Sequence, residues 1–247
     1  MRKTNNQITF FGISKEICIF LCRRNWVKVF SFAVVFFPDK SFQFHSQTKH
    51  TYFNISFSKN FGQNFLTDRN ILEKIVEVSA VGKDYGVIEI GPGFGVLTKF
   101  LLEKAGKVVS IEIDTRLKEV LDYTLSEYDN FEFVQSDALK IDLKKLIEEK
   151  FTQKKIVVVA NLPYYVTTPI ITKLLESDLD LESITIMVQK EVAQRLVADE
   201  NSKDNSSISL FVKYYADANI AFSVSRNVFV PAPNVDSAVV NMKLKKE

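Results

Sequence analysis

The sequence predicts an α/β fold: a mostly parallel, doubly wound sheet with an antiparallel edge strand. Three observations carry this. Apolar runs alternate with helix-period segments of roughly 10–15 residues, the rhythm of successive β-α-β units. The runs show little polar alternation, so their strands are covered on both faces. A cluster of glycines lies between one such run and the helix that follows it, a position where parallel α/β sheets bind ligands.

The elements follow in order. A helix over 69–80 (NILEKIVEVSA) precedes the strand GVIEI at 86–90, the cluster Gly91-Pro92-Gly93-Phe94-Gly95 and a helix over 96–105. Strand 107–114, helix 116–126, strand 131–137 and helix 142–150 continue the pattern. Strand 155–163, helix 168–177, strand 183–189 and helix 190–199 complete it. The tail changes character: short β-like pieces beyond 219, a Pro-Ala-Pro turn at 231–233, and SAVVNMKLK at 237–245, which is expected to close one edge antiparallel. No repeat or linker interrupts residues 57–247, which read as one domain.

Residues 1–56 differ from this body and read as a basic, Phe-rich extension, expected to be poorly ordered. They hold eight Lys/Arg and two Asp/Glu, a net of +6; subtraction from the totals of 32 and 30 leaves 24 and 28, a net of −4 for residues 57–247. Their apolar runs, 17–22 and 29–37, fall short of the ~18–20 residues that span a bilayer. No small-residue cleavage site follows the first run. A basic, acid-poor, Ser-containing segment also fits an organelle transit peptide, but an appended segment with no part in the chemistry is the preferred reading, with the protein in the cytoplasm and no membrane partner. Cys18, Cys22, His45 and His50 all lie in this extension; from Phe57 onward there is no Cys, His or Trp. The body therefore cannot use a Cys/His metal site, a thiol nucleophile or a histidine triad. No metal is expected, and chemistry there must run on carboxylates, amides, hydroxyls, aromatics or a cofactor.

Gly91 and Gly93 permit a tight turn and close approach of backbone to ligand at a helix N-terminus. The spacing GxGxG, preceded by Glu89, departs from the dinucleotide fingerprint GxGxxG. Glu112 ends the next strand, 21 residues after Gly91, where a carboxylate can accept hydrogen bonds from both ribose hydroxyls of a nucleoside. Asp137 ends the third strand, where it can read an adenine amino group. Each acid alone reads equally as a solvated strand end; together in one sheet they line one crevice. The next strand ends in Asn161-Leu162-Pro163-Tyr164. An Asn side-chain carbonyl and a main-chain carbonyl can accept both hydrogens of an exocyclic amine, proline shapes the turn, and tyrosine offers a stacking face.

The body resembles the S-adenosylmethionine-dependent rRNA adenine-N6 dimethyltransferases. The resemblance rests on FGQNFL (61–66), IEIGPGFGVLT (88–98), IEID (111–114), NLPYYVTTPI (161–170), VQKEV (188–192) and FVPAPNVDSAVV (229–240), and covers residues 57–247. VQKEV and NVDSAVV are more similar to the small-subunit (16S) enzymes than to the large-subunit enzymes of macrolide resistance. The resemblance implies a Rossmann-like methyltransferase fold with S-adenosylmethionine as cofactor. Ribosomal RNA of the small ribosomal subunit is the implied partner, and a monomer the implied working form. It implies that Asn64, Leu66, Gly91, Gly93, Glu112, Asp137 and Asn161 bind the cofactor. Asn161, Leu162, Pro163 and Tyr164 would hold the target adenine, with Phe229 over the other face of the base.

Family members continue into a small helical domain, whereas this sequence ends at Glu247; the family's basic run before FGQNFL shrinks to Ser58-Lys59-Asn60, and Asn205-Ser206 replaces a usual Tyr-Gly. The body is acidic although RNA binding asks for a basic face; Lys154, Lys155, Lys190 and Arg195 are the cations on offer. Two other readings compete: a relative that grips nucleic acid without methylating it, which an intact NLPY disfavours, and a nicotinamide-dependent oxidoreductase, which the glycine spacing and missing histidine disfavour.

Overall fold

The computed structural model describes residues 64–246 and three strands nearer the N-terminus: β1 (Phe32–Phe36), β2 (Ser41–Ser46) and β3 (Tyr52–Ser56). These pair antiparallel in the order β1-β2-β3. These runs are rich in the Phe, Val and Ile that suit strands. Cys18, Cys22, His50, Ser58-Lys59-Asn60 and Phe61-Gly62-Gln63 of the FGQNFL run lie outside the described residues. The chain divides into two compact units after Ser58.

The second unit holds a seven-stranded sheet. Its strands are β5 (Tyr85–Ile90), β6 (Lys107–Glu112), β7 (Phe131–Gln135), β8 (Lys155–Asn161), β9 (Leu181–Gln189), β10 (Ala216–Val224) and β12 (Ser237–Leu244). The helices are α1 (Arg69–Val78), α2 (Val96–Lys104), α3 (Leu117–Thr124), α4 (Leu143–Lys150), α5 (Thr167–Glu176), α6 (Lys190–Leu196) and α7 (Ser207–Tyr215). The order is β10-β12-β9-β8-β5-β6-β7. From β5 the chain winds outward through β6 and β7, then returns to place β8 on β5's other side. The order reverses between β5 and β8, which opens a crevice at their carboxyl ends. Ile88 and Ile90 of β5 pack into a core shared with α4, α5, α6 and α7, and so the strands are apolar because both faces are roofed.

Every helix and strand expected between 69 and 199 is present, with ends shifted by a few residues. Two features differ from expectation. The antiparallel strand β12 is second from the edge: it pairs with β9 on one side and β10 on the other. β10 therefore runs parallel to the main set and forms the edge. Helix α7 occupies SISLFVKYY, a run of β-branched and aromatic residues whose local preference is for strand. A capping box and a tertiary contact override it: Ser206 N–H donates to Ser209 Oγ at 3.0 Å, and that hydroxyl donates to Arg195 C=O at 2.6 Å, joining α7 to α6. A two-stranded ladder of β4 (Phe65–Leu66) and β11 (Phe229–Val230) lies apart from the main sheet, with Phe229 opposite Leu66.

Glu89, on the α2 side of β5, is almost wholly buried. Its Oε2 accepts from Thr98 Oγ1 of α2 at 2.7 Å and Ser110 Oγ of β6 at 2.6 Å, while Oε1 has no partner among the described residues. Burial pushes its pKa from the ordinary 4.5 up to about 7, against the pull of the two hydroxyls. A carboxyl with a raised folded pKa favours the folded state below 4.5 and loses that contribution as pH climbs through 7. Glu89→Gln keeps an acceptor for both hydroxyls and removes the titration. Its stability relative to the parent should therefore rise by on the order of 2–3 kcal/mol between pH 5 and pH 8 in urea unfolding. A difference that stays flat over that range would contradict a neutral Glu89.

Candidate active site

The crevice between β5 and β8 deepens into a pocket of about 230 Å³. Strand ends supply most of it: Gly91 and Gly93 after β5, Glu112 closing β6, Asp137 after β7, and Asn161 through Tyr164 at the end of β8. Asn64, Phe65 and Phe229 arrive from the β4–β11 ladder. Of the residues singled out in the sequence, Asn64, Gly91, Gly93, Glu112, Asp137, Asn161, Leu162, Pro163, Tyr164 and Phe229 thus line one pocket. Leu66 does not. Its side chain is buried in the core, and its backbone pairs with Phe229.

The glycine turn is held by main-chain contacts. Gly91 N–H donates to Ile111 C=O at 3.0 Å, and Gly91, Gly93 and Gly95 all have positive φ. A Cβ on Gly93 would sit 3.1 Å from the Phe65 ring, which itself stacks on Phe94 with centroids 4.3 Å apart. The turn is thus packed against an aromatic pair, one member of which, Phe65, also lines the pocket.

Glu112 Oε1 accepts from the N–H groups of Ile113 and Asp114, both at 2.9 Å. Burial raises its pKa, and these N–H groups, with Gly93 N–H, oppose the rise while the nearby Asp114 charge adds to it. Asp137 Oδ1 caps its own turn by accepting from Leu139 N–H at 2.9 Å. The exposed apolar side chains of Ile113, Leu139 and Tyr165 rim the mouth. None of the three is singled out by the sequence, although Ile113 lies one residue beyond Glu112, Leu139 two beyond Asp137 and Tyr165 next to Tyr164.

Asn161 Nδ2 reaches Asn64 C=O at 3.5 Å, which leaves the amide's carbonyl oxygen as an acceptor with no partner among the described residues. Leu162 N–H is committed to Met187 C=O at 3.2 Å. Pro163 leads into a 3-10 turn at Tyr164–Val166, stitched by Thr167 Oγ1 to Pro163 C=O at 3.2 Å. Tyr164 OH lies 3.1 Å from Ser237 Oγ of β12, which fixes the phenol ring at the pocket wall. A carbonyl acceptor, a proline-shaped turn and two aromatic rings thus meet beside two carboxylates and a glycine turn. This constellation suits a nucleoside together with a planar amine-bearing base.

Residues 54–247 match the model of a family described as Ribosomal RNA adenine dimethylase. The chain belongs to this family. Among curated relatives, the Ribosomal RNA small subunit methyltransferase A of Bacillus pumilus is 52% identical over 195 residues, covering 78% of this chain and 67% of the relative. The protein of the same name from Streptococcus thermophilus is 50% identical over 193 residues, with the same coverage. Among solved structures, the 23S rRNA methyltransferase ErmE superposes with a TM-score of 0.66 at 31% identity, covering 74% of this chain and 71% of that one. A dimethyladenosine transferase from Plasmodium falciparum gives 0.65 at 34% identity, covering 73% and 63%. As in its dimethylase relatives, the sheet is of the Rossmann-like methyltransferase kind, mostly parallel with one strand reversed. Among the described residues, no group of three or more His, Cys, Asp or Glu could hold a metal ion, and no helix is long and apolar enough to cross a membrane.

The glycine turn yields a contrast between two substitutions. At Gly95 (φ 77°) a Cβ would meet Leu121 Cδ2 at 2.9 Å, whereas at Gly91 (φ 71°) its nearest neighbour is 3.9 Å away. Gly95→Ala should therefore cost on the order of 2–3 kcal/mol, backbone strain plus overpacking. Gly91→Ala should cost only the strain, about 1–2 kcal/mol. Urea unfolding of the two variants checks the ordering.

Proposed function

We propose that the protein transfers methyl groups from S-adenosylmethionine to the N6 amine of adenines in small-subunit (16S-type) ribosomal RNA, giving N6,N6-dimethyladenosine, with residues 57–247 as its methyltransferase domain. The observation that carries this is the convergence, in one pocket, of Asn161-Leu162-Pro163-Tyr164 with the glycine turn and the two strand-end carboxylates. The small subunit is favoured over the large because curated relatives at 50–52% identity carry the small-subunit name, whereas the 23S enzyme stands at 31%. On this reading the protein works in the cytoplasm, as a monomer, on subunits under assembly.

The donor set fits the cofactor. Glu112 offers a carboxylate to ribose hydroxyls, Asp137 an acceptor to an adenine amine, Ile113 and Leu139 apolar walls to a planar base, and Gly91 and Gly93 a backbone that side chains do not obstruct. Asn64 and Asn161 bound the other end of the pocket. When bound, S-adenosylmethionine supplies a methyl group on a positively charged sulfur.

The chain's own work is done on the target amine. The N6 lone pair of adenine is delocalised into the ring. Asn161 Oδ1 and Leu162 C=O accept its two protons, which favours a tetrahedral, nucleophilic nitrogen and fixes the line of attack. Tyr164 and Phe229 hold the base face by face; each stacking contact is worth roughly 1–3 kcal/mol, comparable with the few kcal/mol needed to unstack the adenine from its RNA. After one transfer the amine retains a single N–H, so the second transfer relies on one of the two acceptors. No strong base is needed, because the amine sheds its proton once it has become cationic. This accords with a body that lacks histidine.

Asn161→Ala should slow methyl transfer by on the order of 10²–10³-fold while retaining most cofactor affinity. The assay supplies labelled S-adenosylmethionine and small subunits lacking adenine dimethylation, then digests the RNA to nucleosides; unchanged turnover would refute the assignment. A thermal-shift measurement separates the cofactor classes: S-adenosylhomocysteine should raise the melting temperature and NAD should leave it unmoved.

A further inference from the structure

A second groove, of about 500 Å³, adjoins the pocket where α6 meets the segment before β12. Gln189, Lys190, Gln194, Arg226, Asn234 and Val235 line it. Its floor is continuous with the catalytic wall. Lys190 N–H donates to Asp236 C=O at 3.0 Å, Asp236 Oδ1 accepts from Arg226 N–H at 2.9 Å, and the next residue, Ser237, is the one that holds Tyr164 OH. At its other side the 3-10 turn Arg226–Val228 leads directly into Phe229. The groove therefore begins where the two aromatic rings of the pocket are anchored.

Its charges are arranged asymmetrically. Two acids also line it: Glu191 is paired with Arg195 at 2.6 Å, while Asp236 Oδ1 accepts from the Arg226 backbone N–H and keeps its charge, so Lys190 and Arg226 leave the groove with one positive charge in excess. Neither Lys190 nor Arg226 makes an ion pair among the described residues, and Arg226 uses only one guanidinium N–H internally, to Asn234 C=O at 3.1 Å. By contrast, Lys155 and Arg195, two of the cations the sequence offers for RNA, are paired with Asp84 at 2.7 Å and Glu191 at 2.6 Å. Beside the two free cations stand three side-chain amides, which can match donor and acceptor edges of unpaired bases, and the exposed Val235, which offers apolar surface to a ribose or base face.

We propose that this groove seats the nucleotides adjoining the target adenine in the RNA chain, with Lys190 and Arg226 on phosphates and Gln189, Gln194 and Asn234 on base edges. The proposal rests on the rRNA methyltransferase reading and gives it a docking surface on a body whose net charge is negative. A strand that leaves the adenine along the Ser237 and Phe229 side of the pocket runs toward these groups. Phosphate contacts set position and base contacts set sequence preference, so the two kinds of side chain should fail differently.

Lys190→Ala and Arg226→Ala should each raise KM for unmethylated small subunits by on the order of tenfold, with kcat and S-adenosylhomocysteine affinity unchanged. Each should also flatten the dependence of log affinity on log salt by about 0.7. Gln194→Ala and Asn234→Ala should leave the salt slope alone and relax the preference for the bases next to the target, read on RNA substituted at those positions. Lys104→Ala and Lys144→Ala, at exposed positions elsewhere that form no ion pair among the described residues, serve as controls. KM and salt slope equal to those controls in both cation variants overturns the groove while leaving the methyltransferase reading standing. A parent protein that binds S-adenosylhomocysteine yet methylates no ribosomal RNA overturns that reading, and the groove with it.

Discussion

On the amino side of the sheet, successive strands are roofed by helices and by one another's connections. On the carboxyl side, the reversal of winding between β5 and β8 leaves a gap that no connection crosses. The pocket depends on that topological constraint. The glycine turn, Glu112, Asp137 and Asn161 need only end their respective strands to face one another, since parallel strands of one register finish at one level. The buried hydrogen bonds of Glu89 to Thr98 and Ser110 then hold the first strand, the helix that opens at the turn and the second strand at fixed spacing. Displacing any one of them would tilt the turn against the Glu112 carboxylate, which accepts from main-chain N–H groups after both β5 and β6.

Much of this was legible in the sequence for a plain physical reason. Strands covered on both faces must be apolar throughout, and a polar residue at the end of such a strand stands out, so Glu112, Asp137 and Asn161 could be named from pattern alone. What escaped was whatever depends on contacts distant in sequence. Helix α7 has the local preference of a strand and is helical because Ser209 ties it to the end of α6. The position of β12 inside the sheet, rather than at its edge, is decided by pairing with β9 and β10, which no local signal encodes. Leu66 is named on the family resemblance alone, and no local signal shows that its side chain points into the core while that of Phe65 lines the pocket. Ile113, Leu139 and Tyr165 escaped because apolar residues after a strand carry no chemical mark until the pocket they rim is seen.

On the proposed reading an acidic body must accommodate a polyanion. Carboxylates crowd one side of the pocket, at Glu112 and Asp137, and most surface cations among the described residues are tied to neighbouring acids. Positive charge left unpaired beside the aromatic rings has a reach of about a Debye length, ~8–10 Å, and within that range local placement outweighs the sum over the domain.

The ladder joining β4 to β11 has a further consequence. Phe229 and Leu66, its partners, lie 163 residues apart in the chain, while the pairs β5–β6 and β6–β7 join residues only some twenty apart. Contacts of such high sequence separation form late, because the loop they close costs entropy before it returns any stabilisation. A chain emerging from its amino end can thus assemble the glycine turn and the first three strands early, yet must wait for residue 229 before the pocket has its last wall. Possession of a complete pocket then reports that the chain has been made and folded at least through β11.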